Sequence, residues 1–199
     1  MYILISLGVI LVLVMIGMGA RFVISFNRLQ QLKQSVAYSR EDIVTSYTTL
    51  CMMSAGIAEG YARDHIYADD LQALADMAME SEADITPDHV LALQKAWSAF
   101  LEKVDHDRSE QEKIGTKPTN KTKFIDESGM SPIQHILNDI SSQKRYLNAA
   151  SKWYNTSLAL FPGNLFRLIM KRAPLPIWPT LPGEEAWLPS DNLYLDSPL

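Results

Sequence analysis

Tyr2-Ile-Leu-Ile-Ser-Leu-Gly-Val-Ile-Leu-Val-Leu-Val-Met-Ile-Gly-Met-Gly-Ala20 opens the chain with nineteen consecutive uncharged residues. As a helix rising about 1.5 Å per residue, this stretch spans about 28 Å, close to the roughly 30 Å of a bilayer's hydrocarbon core. It is long for a signal h-region and lacks the basic residues that precede one, so it reads as a retained single crossing. The rival reading is a leader cleaved after the small residues Gly19 and Ala20. No Lys or Arg precedes the stretch, whereas Arg21, Arg28, Lys33 and Arg40 follow it, and basic residues beside a span favour the cytoplasmic side. The bulk of the chain is therefore expected in the cytoplasm, with the short N-terminus outside.

Beyond Arg21 the apolar residues fall into helical spacing. Leu29, Leu32, Val36, Ile43, Tyr47, Leu50, Ser54, Ile57 and Tyr61 recur mostly at alternating steps of three and four, with Ser39 holding the seam between Val36 and Ile43. Proline is absent from residues 1 to 86. One long helix, leaving the bilayer and reaching toward His65, accounts for both patterns. In water its leucine and tyrosine seam requires partners.

Three further helices supply them. Tyr67, Leu71, Leu74 and Ala78 form a second stripe. Thr86-Pro87-Asp88 carries an N-cap residue and a proline at the first helical position, ahead of Val90, Leu93, Trp97, Phe100 and Val104 on one face. Residues 105–131 are rich in charge and turn formers and read as a loop. Ser131-Pro132 repeats the cap logic and opens a helix with the seam Ile133, Leu137, Ile140, Lys144, Leu147, Ser151, Tyr154, Leu158 and Phe161, ended by Pro162-Gly163. The expected fold is all-α: an N-terminal transmembrane helix continuing into an antiparallel four-helix bundle, with an extended Pro-rich C-terminal tail. The domains are an anchor over 1–26, a bundle over 27–172 and a tail over 173–199.

Charge narrows the function classes. The 199 residues carry 18 Lys and Arg against 23 Asp and Glu, a formal charge of −5. Net acidity argues against nucleic acid as a partner, since phosphate binding requires clustered cations. Within the body, residues 63–112 hold four basic and thirteen acidic side chains, whereas residues 113–172 hold ten and three, so opposite fields are expected to face each other across the bundle. Asn164 to Arg172 mixes apolar and basic residues. Arg21, Phe166, Arg167, Lys171 and Arg172 are candidates for the membrane interface, the competing reading being a short helix that caps the bundle core.

The tail from Ala173 holds six of the ten prolines, which precludes a helix. Its aromatic residues Trp178, Trp187 and Tyr194 are candidates for docking a partner. The competing reading packs the stretch around Trp178 onto the bundle and leaves the chain from Glu184 onward free.

Leu147-Asn148-Ala149-Ala150-Ser151-Lys152-Trp153-Tyr154-Asn155 followed by Phe161-Pro162-Gly163-Asn164-Leu165 resembles the closing signature of the LemA family, with residue–Asn pairs seven apart and a Phe-Pro-x-Asn-Leu ending. Phe26-Asn27-x-Leu29, Ala37-Tyr38-Ser39-x-x-Asp42-Ile43 and Gly60-Tyr61-Ala62 are similar to further blocks of that family. The likeness covers roughly residues 1 to 178. It implies a bacterial inner-membrane protein with one N-terminal span and an antiparallel helical bundle, without an accepted enzymatic activity. Val44 to Met53 departs from the family's basic, proline-containing stretch, and the tail after Trp178 is longer than its usual finish.

Chemistry-bearing motifs are sparse. Asn148, Tyr154 and Asn155 are read as polar residues that fix helix register, because buried amides need partners. His65, His89, His106 and His135 show no paired ligand spacing on one helix, Cys51 is a lone cysteine, and the acidic runs lack a Gly-bearing calcium loop. Catalytic, cofactor and metal sites are all expected to be absent. The function expected is a non-catalytic scaffold or interaction protein at the bilayer, with a membrane-protein partner and with self-association open. The alternative is an accessory to a membrane enzyme or protease system, or a weak hydrolase using residues such as His65 and Asp69.

Overall fold

The computed structural model describes residues 2–60, 67–82, 85–114, 127–160 and 162–182. Among these the chain forms five helices and no strand: α1 (Tyr2–Gly60), α2 (Ala68–Glu82), α3 (Pro87–Ile114), α4 (Glu127–Ala159) and α5 (Gly163–Ile169). The start of α1 is long and apolar enough to cross a membrane, and its side chains from Leu7 to Met18 are exposed.

In the polar stretch of α1 the threonine hydroxyls bond back along the helix, and the buried seam of Ile43, Tyr47 and Leu50 favours the helical state. Thr45, Thr48 and Thr49 donate to the carbonyls of Glu41, Val44 and Thr45 at 2.9–3.0 Å, so these β-branched residues leave no hydroxyl competing for the backbone. At the head of α3, Thr86 caps as the sequence indicated: the backbone N–H of His89 donates to Thr86 Oγ1 at 3.2 Å, and Pro87 occupies the first position, where a missing N–H costs nothing. In α2 the carboxylates of Asp69 and Asp70 complement the helix dipole from the first turn.

The described residues fall into two compact units, and α1 and α4 contribute to both. The first comprises residues up to Tyr38 and from Leu147 to Ile177. Its core is Leu29, Tyr154, Leu158 and Phe166, with Phe22, Phe26, Leu32 and Leu175 packed against them. The second comprises Ser39–Tyr146 together with the stretch beginning at Trp178. Ile43, Tyr47, Leu50, Leu71, Leu93, Trp97, Ile133 and Ile140 are buried there, so four helical segments contribute to one core. Each such side chain contributes roughly 1.5–3 kcal/mol relative to exposure, an upper value for an extended unfolded reference.

Two element boundaries differ from the sequence reading. The stretch read as a loop over 105–131 is helical at both edges, since α3 continues to Ile114 and α4 starts at Glu127. Pro132 therefore lies inside α4 as its sixth residue, rather than at the first position, and Ser131 is not its cap. Only the bond to the Ser128 carbonyl is forfeited so close to the N-terminus, which a helix continuing for 33 residues tolerates. Residues 115–126 lie outside the described part.

Lys103 pairs with Asp70 at 2.6 Å, and both belong to the acidic stretch, so the bridge joins α2 to α3 rather than the acidic half to the basic half.

Candidate functional site

Charge is partitioned by unit. In the first unit, residues 1–38 and 147–177 contain Arg21, Arg28, Lys33, Lys152, Arg167, Lys171 and Arg172 and no Asp or Glu. The acidic side chains of the described chain all belong to the second unit. The described part of this unit thus presents seven cations without a carboxylate, which favours an external anion beside it, and Asp191 and Asp196 lie outside the described residues.

Within the first unit, α5 is held by aromatic packing. Phe166 is 1 % exposed, its ring centroid 4.4 Å from that of Phe22 and 5.5 Å from that of Phe26. The turn that delivers it needs glycine: a Cβ at Gly163 would collide with the Ser157 carbonyl oxygen, so the Pro162-Gly163 pair lets the backbone of α5 press onto the end of α4. Asn164 N–H donates to Leu160 O at 2.9 Å, just past the end of α4, and Leu165 N–H to Pro162 O at 3.0 Å in the first turn of α5. The opposite side of α5 is bare. Leu168 is 78 % exposed and Ile169 69 %. Arg172 donates to Gln30 Oε1 at 3.0 Å and lies 5.5 Å from the Phe26 ring. Lys171 ends the helix with φ of 49°, a left-handed conformation that glycine adopts more readily.

These positions sort the interface candidates. Arg21, Arg167 and Lys171 are exposed, and Arg172 is half-buried. Phe166 is a correction: it faces the core, because the short helix has only one inward position that reaches both Phe22 and Phe26.

Asn155 does other work than the register-fixing assigned from sequence. Its Nδ2 donates to Leu175 O at 2.9 Å and its Oδ1 accepts from Leu175 N–H at 2.8 Å, so the amide pairs with an extended segment 20 residues later, as a neighbouring strand would. In Pro174-Leu175-Pro176 only Leu175 has an N–H, and Asn155 takes it. Asn148 and Tyr154 are buried, at 4 % and 2 % exposure. The neighbouring Trp153 stacks under the Arg28 guanidinium at 5.9 Å, and its Nε1 is buried without a hydrogen-bond partner. Lys152, Trp153, Asn155, Thr156 and Ile177 line an open groove beside it.

The second unit pairs polar groups that the sequence placed on the helix seams without naming their partners. Lys144 is 1 % exposed at a seam position between Ile140 and Leu147. Its Nζ donates to Gln94 Oε1 at 2.6 Å and approaches Pro179 O at 3.5 Å, while Gln94 Nε2 donates to Ser141 Oγ at 2.6 Å. The signal available was a cation inside an apolar stripe, which is rare without buried acceptors. Trp97 is fully buried and donates through Nε1 to Ser54 Oγ at 2.9 Å, and Ser54 in turn donates to Leu50 O. Tyr67 donates to Asp107 Oδ2 at 2.8 Å; burial, then that bond, push its phenol well above the ordinary range. The hydrogen bond to Asp70 raises the exposed Lys103 ammonium.

Trp178 is also corrected as a docking residue. At 5 % exposure it is already packed within the second unit. Trp187 and Tyr194 lie outside the described residues, as does His65. Among the described residues no group of three or more His, Cys, Asp or Glu is placed to hold a metal. His135 and Asp139 form an exposed pair one turn apart at 3.2 Å, and Asp69 is exposed.

No family model, curated protein or solved structure matches this chain.

Proposed function

We propose that the protein is a single-pass membrane scaffold of LemA type, non-catalytic, with its body on the cytoplasmic side of a bacterial inner membrane and its acidic unit available to a membrane-protein partner. The observation that carries this reading is α1 itself: an uncharged, exposed apolar run that continues without a break into the buried seam of a helical core. The antiparallel bundle is supported by the α2–α3 contacts, where Tyr67 meets Asp107 and Asp70 meets Lys103, so advancing along one helix means retreating along the other. Ser54–Trp97, Ser46–Gln143 and Lys144–Gln94 link α1, α3 and α4 in the same unit. A scaffold role fits the second unit's core, in which Trp97 bonds to Ser54 and the buried Lys144 bonds to Gln94.

The test is alkaline extraction of membranes holding the full chain, combined with intact mass and a reporter fused after Leu199. The protein stays in the membrane pellet at full mass with a cytoplasmically active reporter. A mature mass that begins after Ala20 overturns the anchor, and a reporter active only outside the cytoplasm reverses the orientation.

A further inference from the structure

We propose that α5 is a second membrane contact, an interfacial helix that seats its apolar edge among the anionic lipid headgroups of the leaflet from which α1 emerges. This rests on α1 being the span.

The height of α5 follows from its packing. Phe166 lies against Phe22 and Phe26, which come two and six residues after Ala20, the last residue of the uncharged stretch. Six helical residues rise about 9 Å, comparable with the roughly 5–8 Å of headgroup region on each side of the hydrocarbon. Helix α5 is thereby tied to the level at which α1 leaves the apolar phase.

Its outward chemistry matches that level. Leu168, Ile169 and Met170 are exposed in succession, flanked by the exposed Arg167 and Lys171, with the half-buried Arg172 beyond. Apolar groups entering the acyl boundary beside cations at phosphate depth is the arrangement of an interfacial helix. Anionic lipid is the occupant that the charge favours, because Arg167 and Lys171 are exposed on this face and meet no carboxylate among the described residues. Gly163 and the buried Phe166 hold the helix in place before lipid arrives, so binding orders little new chain.

The experiment is spin-label depth measurement on the full chain in nanodiscs, with Cys51→Ala as background and Leu168→Cys or Val12→Cys as the labelled site. The discs are phosphatidylcholine alone or mixed with phosphatidylglycerol. The expected result is a Leu168→Cys label at the acyl boundary in anionic discs and shallower in neutral ones. Arg167→Gln and Lys171→Gln each weaken the seated state by about fivefold. A Leu168→Cys label facing water in anionic discs, with Val12→Cys deep in hydrocarbon, overturns the inference and leaves the anchor standing. A Leu168→Cys label shielded from both water and lipid overturns it in favour of a protein cover, and equal depth in both discs overturns its anionic character. A Val12→Cys label in water overturns the anchor, and this inference with it.

Discussion

The two units use the same pair of long helices and solve different problems. The first has no acidic side chain among its described residues and is built on aromatic contacts, with Phe166 packed against Phe22 and Phe26 and an amide clamp from Asn155 onto Leu175. The second mixes charges of both signs and buries polar groups only where each finds an acceptor, as with Trp97 on Ser54 and Lys144 on Gln94. A stripe that changes partners along its length can serve two environments without a break in the backbone. The lesson is that a small net charge can hide a strong segregation of charge along the described chain.

The largest expected effect belongs to the second unit. Trp97→Ala removes a fully buried indole and orphans the Ser54 hydroxyl as an acceptor, and is expected to cost about 4 kcal/mol. Hydrogen exchange should then accelerate in α3 and in residues 39–60 far more than in α5. Uniform acceleration of α5 as well would erase the distinction between the units.

Gly163→Ala strikes the first unit. The new methyl meets backbone rather than a flexible side chain, so α5 must shift, at a cost of about 2 kcal/mol. The readout is exchange at Phe166 and Leu165, with Trp97 protection unchanged.

How much of this was legible in the sequence depended on period and proximity. The seam from Leu29 to Ser54 was readable because its spacing repeats over several turns, and the Thr86-Pro87 cap because its partners are adjacent in the chain. The extension of α3 through Asp105 to Lys113 was not, since an exposed charged helix has no apolar stripe to announce it. The inward turn of Phe166 was hidden because the 7 residues of α5 hold too few turns to define a face. Asn155 was read as a register-fixing amide with no partner named, and its partner is Leu175. Leu175 lies 20 residues away across a turn, and no local pattern encodes that meeting.

Asn155→Ala removes both bonds to Leu175 and leaves its N–H and C=O unpaired, costing about 1–2 kcal/mol. Limited proteolysis should open residues 171–181 while sparing α2 and α3. Unchanged proteolysis would show that the clamp does not hold the segment.

The smallest effect sharpens the second unit's polar character. Tyr67 is held protonated in the fold by burial and by Asp107, so its folded value lies above its unfolded one near 10. Its contribution is fully present below that unfolded value and fades as pH rises beyond it, because the unfolded chain loses the phenolic proton first. Tyr67→Phe should cost about 1 kcal/mol at neutral pH and flatten the alkaline decline in thermal stability above pH ~10. An equally steep decline in the variant would assign it to other groups, Lys103 foremost.

The unity of α1 is tested most directly by hydrogen exchange of the full chain in lipid nanodiscs, followed amide by amide from Leu7 to Leu50. Unbroken protection through Arg21 to Tyr38 is the expected result, since one helix carries both the apolar run and the buried seam. Rapid exchange confined to residues 21–38 would contradict it, separating anchor from body by a flexible joint.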